Sequence, residues 1–282
     1  MQRTIATFDI TGKCPLRCRH CYFFLSPLRG DDLPAALFLH RTRDVRDKYG
    51  ILSAFWVGGE PLLRLPLLRR AMRLFRRNAV SPSGMVPIPP DLNAGLLVSI
   101  DGPREIHDRI RGSGAFDRVL ENLAPLQSGT FALSVTLTAE SVKTVDALPM
   151  LVEKTRALGA VIGFHVGPLD DPLRVEGALR DGVVNRLLDL AGAWPNVVLN
   201  PPASLELFRP RYSQDLAGHC IYRNRAIAFD THIEPKRPCT FDARARCNEC
   251  GCAVVAAQRA KDLGDAASDI FLRTLFPSVQ AN

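Results

Sequence analysis

Five short runs rich in branched and aromatic residues punctuate the chain: TIATFDIT (4–11), ILSAFWV (51–57), GLLVSI (95–100), FALSVTLT (131–138) and AVIGFHV (160–166). Bounded by turn-forming residues, they predict strands. Between and after them, apolar positions recur at helical spacing over about residues 33–48, 62–77, 115–126, 143–158 and 180–193. In RLPLLRRAMRLFRR (64–77), Leu67, Leu68, Ala71, Leu74 and Phe75 share one face and the arginines the other. Strands alternating with helices, about 30–45 residues per unit, predict an α/β fold of parallel strands joined by right-handed crossovers, as in a barrel or partial barrel. One strand is written weakly. NAVSPSGMVPIPPDLNA (78–94) leaves room only for a short strand near Ala79–Ser81 before prolines impose a loop.

Beyond residue 200 the periodicity fades. NPPASLELFRPRYS (200–213) reads as a connector, and a final amphipathic helix is expected near 260–275, packed back on the body. The expected division is 1–200 for the α/β body, 201–259 for a small module, and 260–282 for a terminal helix and tail. Cysteines follow it: Cys14, Cys18 and Cys21 lie in the body, and Cys220, Cys239, Cys247, Cys250 and Cys252 in the module.

No run of about 18 apolar residues marks a membrane span, and MQRTIATFDITG lacks the apolar core of a signal peptide. A cytoplasmic location is therefore expected, where eight cysteines argue for metal or redox chemistry over disulfides. The net charge of +7 suits an anionic partner, but the arginines are dispersed on solvated helix faces with no interleaved aromatics, which argues against nucleic-acid binding.

Sites in parallel α/β sheets gather at the carboxyl ends of strands. GKCPLRCRHC (12–21), GGEP (58–61), SIDG (99–102) and LTAE (137–140) all fall there. Three thiolates suit three corners of a 4Fe–4S cube, leaving one iron open. The alternative is zinc completed by His20, for which the loop must reverse sharply.

In this spacing and order the sequence resembles the radical S-adenosylmethionine (radical SAM) superfamily. CPLRCRHC has its CxxxCxxC spacing and GGEP its glycine-rich segment, while VSIDGPREIHDRIRGSGAFDRVLENL (98–123) is similar to the SPASM/twitch branch. The resemblance spans roughly residues 5–170 and, in the tail, 220–252. It implies a partial (β/α)6 radical SAM barrel with a small cysteine-rich C-terminal SPASM/twitch-like module. It also implies a SAM-binding 4Fe–4S cluster on Cys14, Cys18 and Cys21, cleaving S-adenosylmethionine (SAM) to a 5′-deoxyadenosyl radical that abstracts substrate hydrogen.

Within that resemblance Gly58 and Gly59 permit close backbone approach. Glu60 offers an acceptor for the methionine ammonium, or caps the helix that follows. Ser99 is placed for ribose or carboxylate, and Arg111 for the methionine carboxylate. Asp101 reads as a turn residue, Tyr22 as packing, and His165 as either a substrate contact or a structural histidine. Relatives often carry a Thr-Asn-Gly-like turn where this chain has SPSG (81–84), with Ser81 and Ser83 as replacements.

The tail implies an auxiliary 4Fe–4S cluster on four of its five cysteines. Its hairpin lies between Cys220 and Cys239, with Ile233 and Glu234 where the family usually has glycine. Zinc is the alternative there. A reduced flavodoxin- or ferredoxin-type donor and a peptide or small-molecule substrate follow from the resemblance. Because the sequence opens on its first strand, a small molecule or a partner-delivered peptide is expected. The competing classes are a non-catalytic zinc protein binding RNA, and a degenerate family member that binds SAM without cleaving it.

Overall fold

The structure is a computed structural model that describes residues 3–23, 31–166, 171–241 and 245–277. In chain order its elements are β1 (Ile5–Asp9), α1 (Ala35–Tyr49), β2 (Ser53–Val57), α2 (Leu65–Met72), β3 (Arg77–Val80), β4 (Gly95–Ser99), α3 (Arg104–Arg111), α4 (Ala115–Leu123) and β5 (Ala132–Leu137). Then follow α5 (Leu148–Thr155), β6 (Ala160–Phe164), α6 (Gly177–Ala193), α7 (Pro202–Glu206), α8 (Ser213–Gly218), β7 (Ala226–Phe229), β8 (Pro235–Lys236), α9 (Ala253–Asp262) and α10 (Ala266–Leu275). The strands form one curved sheet in the order β6-β5-β4-β3-β2-β1-β7-β8. The first six are parallel, each paired with its predecessor, and make a partial barrel.

Strand alternation assigns the two faces. Ala6, Phe8, Ala54, Trp56, Val98, Leu133 and Ile162 point outward into the helices and are buried. Phe8 stacks on Trp56 with ring centroids 4.9 Å apart, and Trp56 Nε1–H donates to Asn78 Oδ1 at 2.9 Å. The opposite set, including Thr7, Phe55, Leu97, Ser99, Ser134 and Val161, faces the barrel interior. There Ala79, Leu97, Ala132 and Val161 pack against Ala257, Phe271, Leu275 and Phe276, so α9 and α10 plug the barrel floor. Gly95 makes room for this plug: a Cβ on it would lie 2.3 Å from the Leu275 carbonyl oxygen.

Several elements differ from the hydrophobic pattern. The helix expected over 62–77 ends at Met72, because the Arg76 and Arg77 N–H groups donate to the Leu52 carbonyl and start β3. The short strand expected at 79–81 is β3, displaced to Arg77–Val80 and paired on both sides. Helix α3 escaped the pattern because its eight residues are mostly charged, with only His107, Ile110 and Arg111 turned inward. The connector contains α7. The terminal helix is two helices: Gly264 at φ +100° breaks the chain and Asp265 caps α10 by accepting the Ser268 N–H.

The cysteine-rich segment continues the same sheet. β7 pairs in parallel with β1, and β8 runs back antiparallel to β7. In the turn between them Ile233 takes φ +63°, the conformation glycine adopts freely, and its side chain is buried.

Candidate active site at the barrel rim

The loop after β1 carries Cys14, Cys18 and Cys21, and it is anchored from three sides. From β2, Gly59 N–H donates to Thr11 O and Glu60 N–H to Lys13 O, both at 2.8 Å. The glycine pair is required for this contact. Gly58 has φ +119°, and a Cβ on Gly59 would lie 2.1 Å from the Lys13 carbonyl oxygen. From α3, the Ile110 carbonyl accepts the Arg19 N–H at 2.9 Å. From the end of β4, Asp101 Oδ2 holds His20 Nε2 at 2.9 Å.

Asp101 is the hub of this rim. Its Oδ2 accepts from Arg111 Nε at 2.6 Å, and its Oδ1 from Arg111 Nη2 at 3.1 Å and the Thr136 N–H at 3.2 Å. Burial opposes its ionisation, but Arg111 and His20 outweigh that and hold the carboxyl far below the usual range. Arg111 Nη1 lies 4.0 Å from Cys18 Sγ. The Asp101 N–H also donates to His107 Nδ1 at 3.3 Å. Burial, reinforced by Arg111, pushes His107 down to about 4, so it is neutral at physiological pH. Where the turn reading saw only local geometry, Asp101 gathers four partners from two elements, α3 and β5, and a loop.

Glu60 is fully buried. Its Oε1 accepts the Leu62 N–H at 3.0 Å, and Oε2 accepts from Ser83 N–H and Oγ–H. It thus caps the turn of 3-10 helix at Pro61–Arg64 and ties β2 to the loop after β3. Ser81 and Ser99 face the cavity from β3 and β4, and Ser81 donates to the Leu97 carbonyl. His165, just past β6, pairs through Nε2 with Asp171 Oδ2 at 2.7 Å, and its ring centre is 5.9 Å from that of His20. Burial lowers its pKa against the opposing pull of Asp171. The Tyr22 ring packs on Phe241 and under Lys236 Nζ, which pairs with Asp9 Oδ2 at 2.8 Å.

The five tail cysteines open onto the same space. A cavity of about 830 Å³ is lined by all eight cysteines together with Gly58, Gly59, Ser99, Arg111 and His165. The tail crosses from β8, at one edge of the sheet, to β6 at the other, where Gly251 O accepts the Phe164 N–H at 2.9 Å. Arg180 of α6 locks it there by donating to the Glu249 carbonyl at 3.2 Å and the Cys250 carbonyl at 3.4 Å. Glu249 in turn pairs with Arg174 and Arg246. Arg180 and Lys236 were missed in the sequence because their partners lie 69 and 227 residues away.

The donor chemistry fits iron–sulfur clusters. Eight soft sulfur donors face one cavity, with no carboxylate among its described lining residues. Burial pushes Cys18 up to about 11 and Cys239 up to about 12, so these thiols carry protons that a metal would displace. Among the described residues, no three His, Cys, Asp or Glu side chains converge on a single-ion site.

A parallel partial barrel with a three-cysteine loop and glycine pair at its carboxyl rim, faced by a second cysteine set, defines the class. Residues 8–138 match the model of the Radical SAM superfamily. The chain is 31% identical over 166 residues to mycofactocin maturase MftC of Mycobacterium tuberculosis, covering 52% of this chain and 41% of that protein. It is 27% identical over 168 residues to Fe-coproporphyrin III synthase of Methanosarcina barkeri, covering 55% and 42% respectively. The matched region thus spans about two fifths of these relatives. Streptococcus suis SuiB bound to S-adenosylmethionine shares the fold, with a TM-score of 0.65 at 13% identity over 85% of this chain and 60% of that one. So does anSMEcpe with bound AdoMet, with a TM-score of 0.62 at 15% identity over 96% and 80%. No helix among the described residues is long and apolar enough to cross a membrane.

Proposed function

We propose that this chain is a radical SAM enzyme with one auxiliary cluster, acting on a peptide. The observation that carries this reading is that two cysteine sets, about 200 residues apart in sequence, open onto one cavity beside the glycine pair. Cys14, Cys18 and Cys21 would hold the SAM-binding 4Fe–4S cluster, and four of Cys220, Cys239, Cys247, Cys250 and Cys252 the auxiliary one. Bound SAM and a reduced cluster supply a 5′-deoxyadenosyl radical able to take hydrogen from an unactivated carbon.

This chain's residues bind, orient and enclose. Gly58 and Gly59 leave a backbone edge beside the cysteine loop, Ser99 presents a hydroxyl from the barrel wall, and Arg111 supplies a fixed cation beside Cys18. Helices α9 and α10 close the floor and keep bulk water from the interior. His165, oriented by Asp171, faces the cavity as a hydrogen-bonding or proton-accepting group toward substrate. The peptide reading is supported by the relatives: a mycofactocin maturase, the Bacillus subtilis protein AlbA of subtilosin biosynthesis, and SuiB, whose fold is also seen bound to precursor peptide SuiA. A small-molecule substrate is the second reading, favoured by similarity to Fe-coproporphyrin III synthase and pre-heme d1 synthase. The electron donor is a reduced flavodoxin or ferredoxin.

The test is anaerobic reconstitution with iron and sulfide, iron counting, and a reduced SAM-cleavage assay on wild type and Cys14→Ala. The expected result is about eight irons per chain and 5′-deoxyadenosine, with cleavage lost and the fold kept in the variant. Zinc without iron and no cleavage would overturn the reading and bring forward the RNA-binding alternative. SAM bound but uncleaved would mark a degenerate member.

A further inference from the structure

Arg111 has little freedom. Its Nε and Nη2 are both committed to the Asp101 carboxylate, and Nη1 is left 4.0 Å from Cys18 Sγ. Asp101 is itself fixed by the Thr136 N–H and by His20, which lies in the cysteine loop between Cys18 and Cys21. Both side chains are at least nine-tenths buried, so solvent screens them weakly. A cation held beside a cysteine sulfur, with its counter-charge behind it, acts on any change of charge at a cluster which that sulfur would hold.

We propose that Arg111 and Asp101 are an opposed pair of positioning residues that set the reduction potential of the cluster held by Cys18. The proposal rests on the radical SAM reading of the cysteine loop. Reduction adds one negative charge to a cluster, and Arg111 favours that added charge while Asp101 partly cancels the help. Neither residue needs to touch SAM for this effect. Removing the cation makes reduction harder, and neutralising the carboxylate makes it easier.

The experiment uses the full chain, reconstituted anaerobically, with potentiometric titration followed by electron paramagnetic resonance. The signal that changes when SAM is added reports the open cluster and separates it from the auxiliary one. Asp101→Asn is expected to shift its midpoint upward, Arg111→Met downward, and the double variant back toward wild type. Arg111→Lys, which keeps the charge, is expected to stay near the wild-type value. Should Asp101→Asn fail to fold, the contrast between Arg111→Met and Arg111→Lys decides. Shifts of the same sign in both single variants, or lower thermal stability and iron content with unchanged potential, would overturn the proposal and leave the pair a structural clasp. A wild type with no SAM-responsive signal would instead overturn the reading on which the proposal stands, and the proposal with it.

Discussion

Gly251 lies directly across the end of Phe164. Its carbonyl accepts the Phe164 N–H at 2.9 Å, and a Cβ on it would meet the Phe164 carbonyl oxygen at 2.2 Å. The glycine between Cys250 and Cys252 is therefore the hinge by which the cysteine-rich tail closes on the edge strand β6. Arg180 locks the same segment from α6 while its guanidinium stacks 4.8 Å from the Phe164 ring centre. A local cysteine motif becomes part of the barrel's cavity through one close backbone contact and one buried cation.

Gly251→Ala and Arg180→Met should each free this segment while leaving the loop after β1 in place. Iron analysis after reconstitution should fall from about eight to about four per chain, with the SAM-responsive signal retained. Full iron content in both variants would show that the seat on β6 is dispensable.

Gly59→Ala acts on the other cysteine set. The new methyl collides with the Lys13 carbonyl, which is backbone and cannot swing aside. The expected cost is about 1–3 kcal/mol in chemical denaturation. Iron should be lost from the three-cysteine loop, with the tail still loaded.

His107 gives a pH dependence with a definite sign. Its folded pKa of about 4 lies below the ordinary 6.5, so the unfolded chain binds the proton more readily. Stability from this residue is complete above pH 6.5 and is lost as pH falls from there toward 4, amounting to about 3 kcal/mol. Denaturation midpoints across that window should be steeper for wild type than for His107→Gln.

Phe271→Ala tests the floor of the barrel. Phe271 is 5% exposed and packs with Leu275 and Phe276 against Leu97 and Val161. Its truncation should cost about 3–5 kcal/mol and lower the thermal midpoint, measured by calorimetry. An unchanged midpoint would mean α10 is not bound to the barrel in solution.

The elements legible in the sequence were those whose signal is contiguous. β1, β2, β4, β5 and β6 announced themselves as branched runs, and the cysteine and glycine motifs sat at their ends as the crossover pattern required. α3 did not, because a short charged helix carries too few apolar positions to show a period. Asp101 stood beside Gly102 and looked like a turn former, since its partners His20, Arg111 and Thr136 are brought together only by the sheet. Glu60 was legible as both a ligand acceptor and a cap, and the buried bonds to Leu62 and Ser83 display the cap.

What the sequence determined by itself was the repeating strand–helix order and the chemistry of its thiols, because period and ligand type are properties of neighbouring residues. The tertiary structure alone decided that β7 would join β1, that Gly251 would seat the tail on β6, and that eight cysteines would share one cavity. Those outcomes depend on backbone hydrogen bonds at sheet edges and on buried charge pairs, such as Lys236 with Asp9. Their partners are far apart along the chain and meet only when the sheet curves.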